Sequence, residues 1–528
     1  MAGVSFAWRR GSAADCRKLS AFRVLCLLAA ARCAGAAAVD WQPLRWQQPG
    51  MRFWTPGDLE EGVASKHLHA WRPLVQKLVA GDSVSLLTLG SSIVLNSHGS
   101  FHSSRQALRA LGQHALSTAQ LQCSSSEHGA CFVDGTLSLL LQYINATWPH
   151  VNHSLFNLGQ AGSDLGMFAH TSCYDAHLPA SADLLFLESH VDARTCAGCT
   201  EQQMTGVAAA EAIFHQVVHK LHAGATPPAV LMSYLWVTDP KDDWQSWHVG
   251  VARNACDAPG GANFSHRVAS SMADVSGEDR LGAAASYYGW SALSMRNAIW
   301  AGLRDGAARR MNLSECEYIS LYYDDQIHPS PAGARFLGDA LVALLQEAVA
   351  RFGNASAARA DPYALPRTSL TPGAWADHHR MCTATKDLNA VTARGWAYVS
   401  GEDVVDHARN TTRHVAKPGF MATAAGASVE LQVNTRFRHT PVDAAVALTL
   451  EFLRSYEHMG NARLECLHLC ACEPQLLNGT HDVKASVAAA VTFNVTQSRH
   501  CAIQLTVLNE TQSGEHKVKL LALTVQTM

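Results

Sequence analysis

The stretch "GDSVSLLTLGSSIV", residues 81–94, holds two Gly-x-Ser triplets, so either Ser83 or Ser92 is a candidate nucleophile. A serine hydroxyl becomes reactive at neutral pH only beside a general base, itself oriented by an acid. Both partners are available in "YYDDQIHPSPAG", residues 322–333, where Asp325 and His328 stand three positions apart on one loop. Asp324 is the second candidate for the acid. Together these residue types could carry out acyl transfer. In an open parallel sheet, reacting groups collect beyond the carboxyl ends of the strands. Ser83 precedes the apolar run and Ser92 follows it, which separates them by on the order of 25 Å at ~3.3 Å per strand residue. Ser83 is therefore expected in a turn leading into the strand, and Ser92 at the reactive edge.

The elements around these residues alternate. Short apolar runs at 83–90, 182–189 and 228–237 are interleaved with helical patterns at 134–148 and 205–223, as in a parallel sheet covered by helices on both faces. Ser330 suits a helix N-cap and Pro331 the first helical position. Leu337, Leu341, Leu344 and Leu345 give the following helix a buried stripe. "DPYALPRTSLTPG", residues 361–373, has three prolines and no hydrophobic periodicity, which marks a linker. Beyond it, "ASVELQVNT", "AAVALTLEFL", "HCAIQLTVLNE" and "HKVKLLALTVQT" read as strands, and residues 374–528 as a β-sandwich. Its Trp375, Trp396 and Tyr398 could stack on sugar or fill the core.

Several function classes drop out on composition. The net charge is −3 and no basic stripe occurs, so no nucleic-acid partner is expected. The 27 histidines form no metal-binding motif, and neither metal nor cofactor is expected. Residues 1–38 read as a secretory signal, with five basic residues ahead of the apolar run 24–31 and small residues at 34–38; membrane attachment follows only if this leader is retained. Nine of the sixteen asparagines begin an N-x-[ST] sequon: 145, 152, 263, 312, 354, 410, 478, 494 and 509. Without the leader twelve cysteines remain, seven before the linker and five after it, so a bridge between the two parts or a free thiol in each must follow. Cys466, Cys470 and Cys472 are read as disulfide-forming rather than metal-binding. The expected location is the secretory pathway, with the cell surface, the extracellular space or the Golgi as end points.

Four blocks in residues 80–350 resemble, in order, those of the SGNH hydrolases, or GDSL-type esterases and lipases. "LTLGSSIV" is similar to the first, "NLGQAGSDL" (157–165) to the second, "ADLLFLESHVDA" (182–193) to the third and "DDQIHPSPAG" to the last. "ASYYGWSALSMRNAIW" (285–300) also resembles a stretch the family carries before its last block. The resemblance implies a flavodoxin-like three-layer α/β domain over residues 39–360. It implies a Ser92–His328–Asp325 triad and an oxyanion site built from the amides of Ser92 and Gly162. The third block departs from the family pattern, because Asp192 stands where an asparagine normally donates to the oxyanion. An ionised carboxylate only accepts. Three alternatives follow: a protonated Asp192 donates, His190 donates in its place, or hydrolysis is slow or absent. The expected substrate is an acyl ester, acetyl in the first place, on a carbohydrate or glycan. The rivals are an inactive glycan-binding or cell-surface protein of the same fold and a sugar O-acyltransferase.

Overall fold

The computed structural model describes residues 56–90, 121–123, 136–159, 173–174, 178–188, 206–221, 229–234, 277–322, 329, 331–354, 366, 368–372, 380–406, 411–415, 418–482 and 486–527. Among these, strands β1 (Val63–Ser65), β2 (Ser85–Leu89), β3 (Leu121–Cys123), β4 (Ser154–Asn157), β5 (Leu184–Glu188), β6 (Ala229–Tyr234) and β7 (Ser291–Ser294) form one sheet in the order β1-β7-β6-β5-β2-β4-β3. β2 to β7 run parallel, and β1 closes one edge antiparallel to β7. From β2 the chain goes to the outer edge at β3 and returns to β4 beside β2, then crosses to β5, β6 and β7 on the other side. The reversal falls at β2, which is the topological switch point of the sheet.

Helices α1 (Pro56–Glu61), α2 (Arg72–Ala80), α3 (Thr136–Thr147), α4 (Gly206–Leu221), α5 (Gly277–Tyr288), α6 (Met295–Arg304), α7 (Ala307–Arg310), α8 (Glu315–Ser320) and α9 (Pro331–Phe352) accompany the sheet. Four residues of β2 and all five of β5 are buried, which requires cover on both faces and explains their unbroken apolar runs. Leu87, Leu89, Leu185 and Leu187 pack with Ile213, Phe214 and Val217 of α4 and with Ala284, Ala285 and Tyr288 of α5. On the other side α3 lies on β2 and β4, and α9 packs against α3, α2 and α1. Pro331 opens α9, and Leu337, Leu341, Leu344 and Leu345 are all buried, as their spacing predicts.

The C-terminal part is antiparallel. β8 (Arg380–Ala384), β10 (Trp396–Val399), β13 (Gly419–Ala422), β15 (Val446–Arg454), β18 (Val487–Val495) and β20 (Val518–Thr527) share one sheet. β9 (Ala390–Arg394), β14 (Ser428–Val433), β16 (Asn461–His468), β17 (Gln475–Asn478) and β19 (Cys501–Val507) form a second, and β11 (Glu402–Asp406) pairs with β12 (Thr411–Val415). Val429, Leu431, Leu464, Ile503 and Leu505 of the second sheet meet Leu448, Leu450, Phe493, Leu520 and Leu523 of the first in one core. β14 shows the cause most plainly: in "SVELQV" every second residue is buried. Trp396 belongs to this core, stacked on Phe420 at 5.8 Å, which removes it from any sugar-stacking face; Tyr398 is half-exposed and Trp375 lies outside the described residues.

The two parts are tied together covalently. Cys173, in the β4–β5 connection, is bonded to Cys382 of β8, which meets the demand of the uneven cysteine split. Beside it the Arg380 guanidinium lies over the Tyr174 ring at 5.8 Å. The crowded C-terminal cysteines resolve into Cys466–Cys472 and Cys470–Cys501. Asn145 lies on α3, half-buried, with its Nδ2 atom covered. Asn152, Asn312, Asn354, Asn494 and Asn509 are exposed.

Candidate active site at the carboxyl edge of the parallel sheet

β4, β2 and β5 are neighbours and end together, because Thr88 pairs with Asn157 and Leu89 with Leu187. The Leu158 N–H donates to the Thr88 carbonyl at 2.9 Å, which extends the β2–β4 ladder one residue past the strand. Asn157 then turns the chain: its buried side-chain oxygen accepts from the Gly159 N–H at 3.0 Å. Glu188, the last residue of β5, is buried and pairs with Ser233 of β6. Three connections, after Leu89, Asn157 and Glu188, thus depart side by side from the switch point.

Helix α9 begins on the same edge. α3 joins the parallel neighbours β3 and β4, so it begins at the carboxyl edge and ends at the amino edge. Leu139, near the start of α3, packs on Gly338, and the Tyr143 hydroxyl, further along, accepts from Gln346 Nε2 at 2.9 Å. α9 therefore runs in the same direction as α3. The far end of α9 agrees: Glu347 meets Lys66 at 3.3 Å, just past β1, which ends at the amino edge. The N-terminus of α9 accordingly belongs to the carboxyl edge.

The start of α9 has an aromatic foundation which pattern reading missed. Tyr322 is fully buried, packed edge-on against Phe336 at 5.4 Å and against Tyr318 at 5.5 Å, and the two tyrosine hydroxyls lie 2.9 Å apart. Burial pushes the Tyr318 phenol up to about 12, so both tyrosines stay neutral. On α9, Arg335 Nε donates to Asp339 at 2.8 Å; both side chains are buried, and burial raises the Asp339 carboxyl above its usual range despite the arginine. The only advance signal was the density of aromatics in "ECEYISLYYDD".

The opposite edge explains Ser83. Gly81 ends α2 in the left-handed conformation, φ 80°. Asp183 then accepts from the Ser85 N–H at 2.9 Å and from Lys77 Nζ at 2.6 Å. His153 Nδ1 accepts from the Val84 N–H at 3.0 Å while its Nε2 donates to the Trp148 carbonyl at 2.7 Å. The tetrapeptide 81–84 is a turn feeding the amino end of β2. Ser92, Gly162, His190, Asp192, Asp325 and His328 lie outside the described residues, as does Asp324. What the described residues bring to one edge is the element ends nearest to them in sequence: Ser92 follows Leu89 by three positions, Gly162 follows Asn157 by five, Asp192 follows Glu188 by four, and His328 precedes Pro331 by three.

No family model and no curated protein matches the sequence. Among solved structures, the chain matches a two-domain esterase (CEX) active on acetylated mannans, with a TM-score of 0.50 and 16% identity over 89% of this chain and 98% of that one. The chain shares the fold of a two-domain esterase. A structure of a two-domain esterase of the same description, co-crystallized with mannopentaose, matches at a TM-score of 0.49 and 15% identity over 89% and 99% of the two chains. The shared fold takes in both the parallel sheet and the antiparallel C-terminal sheets.

Proposed function

We propose that the chain is a secreted, glycosylated serine esterase that removes acyl groups, acetyl in the first place, from carbohydrate. Ser92 is the nucleophile, His328 the base and Asp325 the orienting acid, in an SGNH-type domain over residues 39–360 that precedes a β-sandwich-like domain over 374–528. The observation that carries this reading is that the carboxyl ends of β2, β4 and β5 and the N-terminus of α9 share the edge of the sheet where the strand order reverses. The family's four blocks fall at those four element ends. An esterase fold in a neighbour that acts on acetylated mannans supports acylated polysaccharide as the substrate class.

In the first step, neutral His328 takes the proton from the Ser92 hydroxyl as its oxygen attacks the ester carbonyl. The imidazolium then protonates the departing sugar oxygen, leaving an acyl-serine. Water attacks that ester with the same imidazole as base, releases the carboxylic acid and restores Ser92. The amides of Ser92 and Gly162 meet the tetrahedral oxyanion, with His190 or a protonated Asp192 as the third donor. Asp192 favours one second reading, an SGNH-fold glycan-binding protein without turnover. A sugar hydroxyl in place of water would give an acyltransferase.

The test is serine labelling by a fluorophosphonate, together with p-nitrophenyl acetate hydrolysis and acetate release from acetylated mannan, on the secreted chain. Ser92→Ala is expected to lose labelling and at least 1000-fold in kcat, whereas Ser83→Ala keeps both. Equal rates for wild type and Ser92→Ala would reject the esterase and leave the binding protein.

A further inference from the structure

The connection that carries Asp325 and His328 leaves Tyr322 and rejoins the fold at α9, and its two flanks touch. A Cβ built at Gly333, in the first turn of α9, would overlap the Tyr322 carbonyl oxygen and lie 2.9 Å from the carbonyl carbon. These are backbone atoms with no rotamer to escape into, so only a hydrogen fits between them. Tyr322 has no room to withdraw, wedged as it is between Tyr318 and Phe336. Tyr318 is confined in turn, since a Cβ at Gly302 of α6 would overlap its hydroxyl. Two positions without a Cβ and two buried tyrosines thus set the separation between the end of α8 and the start of α9.

We propose that Gly333 is a positioning residue for the catalytic imidazole: by lacking a Cβ it lets the Tyr322 carbonyl close onto α9 and fixes the mouth of the loop from which His328 reaches Ser92. The proposal rests on the esterase reading above. A methyl group at this point forces the flanks apart by on the order of 1 Å, and a displacement of that size away from the reacting atoms can cost about 100-fold in rate by spoiling the attack geometry. Binding of the acyl sugar, which does not involve this contact, is left alone.

Gly338 provides the control. It lies on the same helix, where an added Cβ meets Leu139 Cδ1 at 2.6 Å, a side-chain end that can move, and well away from the loop mouth. The experiment compares kcat and KM for p-nitrophenyl acetate in the full-length secreted chain, its Gly333→Ala, Gly338→Ala and Ser92→Ala forms, at a temperature well below every melting point. Turnover is expressed per site titrated by fluorophosphonate, and for Ser92→Ala, which has no such site, per mole of protein. For Gly333→Ala the expectation is kcat lowered by about 10- to 100-fold with KM within about twofold. For Gly338→Ala both constants stay near wild type, whatever the loss in Tm. Equal kcat in the two glycine variants overturns the proposal. Failure of Gly333→Ala to be secreted beside normal secretion of Gly338→Ala also overturns it, by making the contact one of folding. Hydrolysis that survives Ser92→Ala sinks the esterase reading itself, a result distinct from either of these.

Discussion

In the proposed esterase, the chemistry turns on Asp192. A donor preorganised for the oxyanion contributes about 2.7 to 4 kcal/mol to the acyl-transfer barrier. A negative charge roughly 4 Å from that oxygen would cost a similar amount at an effective dielectric near 20. A working site therefore either keeps Asp192 protonated or relies on His190. Asp192→Asn restores a neutral donor, so kcat for p-nitrophenyl acetate is expected to hold or to rise by up to about 100-fold. Measured at pH 5 and pH 8, the variant separates the two routes: a gain confined to pH 8 marks a carboxyl that has to carry its proton to serve. Loss of turnover on this change would show that the carboxylate has a role of its own. At this scale the sequence offers candidates where chemistry demands a residue type, as with Ser92 and the Asp325–His328 pair, which lie outside the described residues. It was silent where a residue matters for what it lacks. Nothing in "HPSPAG" reveals that the Cα of Gly333 faces a carbonyl eleven residues upstream, because the contact exists only after α8 and α9 have packed.

Strands β2 and β4 are pinned at their amino ends by one imidazole. His153 is buried, and burial holds its pKa below the ordinary histidine value of 6.5. Protonation of Nδ1 would remove the acceptor that holds the Val84 N–H. A depressed pKa in the folded state means that the unfolded chain binds the proton more tightly, so stability is complete above about pH 6.5 and falls as the pH drops below it. Urea midpoints at pH 7 and pH 5 should show a larger acid loss in wild type than in His153→Asn, and equal losses would discount the pin. Secondary structure itself was readable wherever burial imposes a period. The alternation of "SVELQV" and the unbroken run in "ADLLFLES" follow from one buried face and two. The three-residue β1 escapes such reading, since it is too short to show a period, and its antiparallel pairing with β7 is decided by tertiary contacts.

For the whole molecule the decisive ties are those between its two parts. Glu211 of α4 is completely buried and accepts from the Tyr288 hydroxyl, the Leu370 N–H at 2.5 Å and the Thr371 N–H at 2.9 Å, so the connecting segment is held against the helical layer. Cys173–Cys382 closes a loop with a sequence separation of 209. In the chain-entropy picture so long a loop contributes on the order of 2 to 5 kcal/mol. The double substitution Cys173→Ser, Cys382→Ser is therefore expected to lower unfolding free energy by that amount in guanidinium titrations, with the esterase rate per titrated site little changed. A midpoint equal to wild type would make the bridge dispensable. Counting cysteines predicted that some bridge or pair of free thiols must exist, because seven and five are both odd. Which residues it joins depends on how β8 lies beside the β4–β5 connection, and no spacing encodes that.

The bridge also has a consequence in time. Ribosomes add roughly 5 to 20 residues per second, so Cys173 emerges some 10 to 40 s before its mate has been made. During that interval its sulfur is open to nearer cysteines, and a polypeptide interrupted anywhere before β8 never acquires the right one. The Cys173–Cys382 bond thus certifies that translation has run through to the second half of the chain, which makes this single covalent link a molecular receipt that β8 has been made.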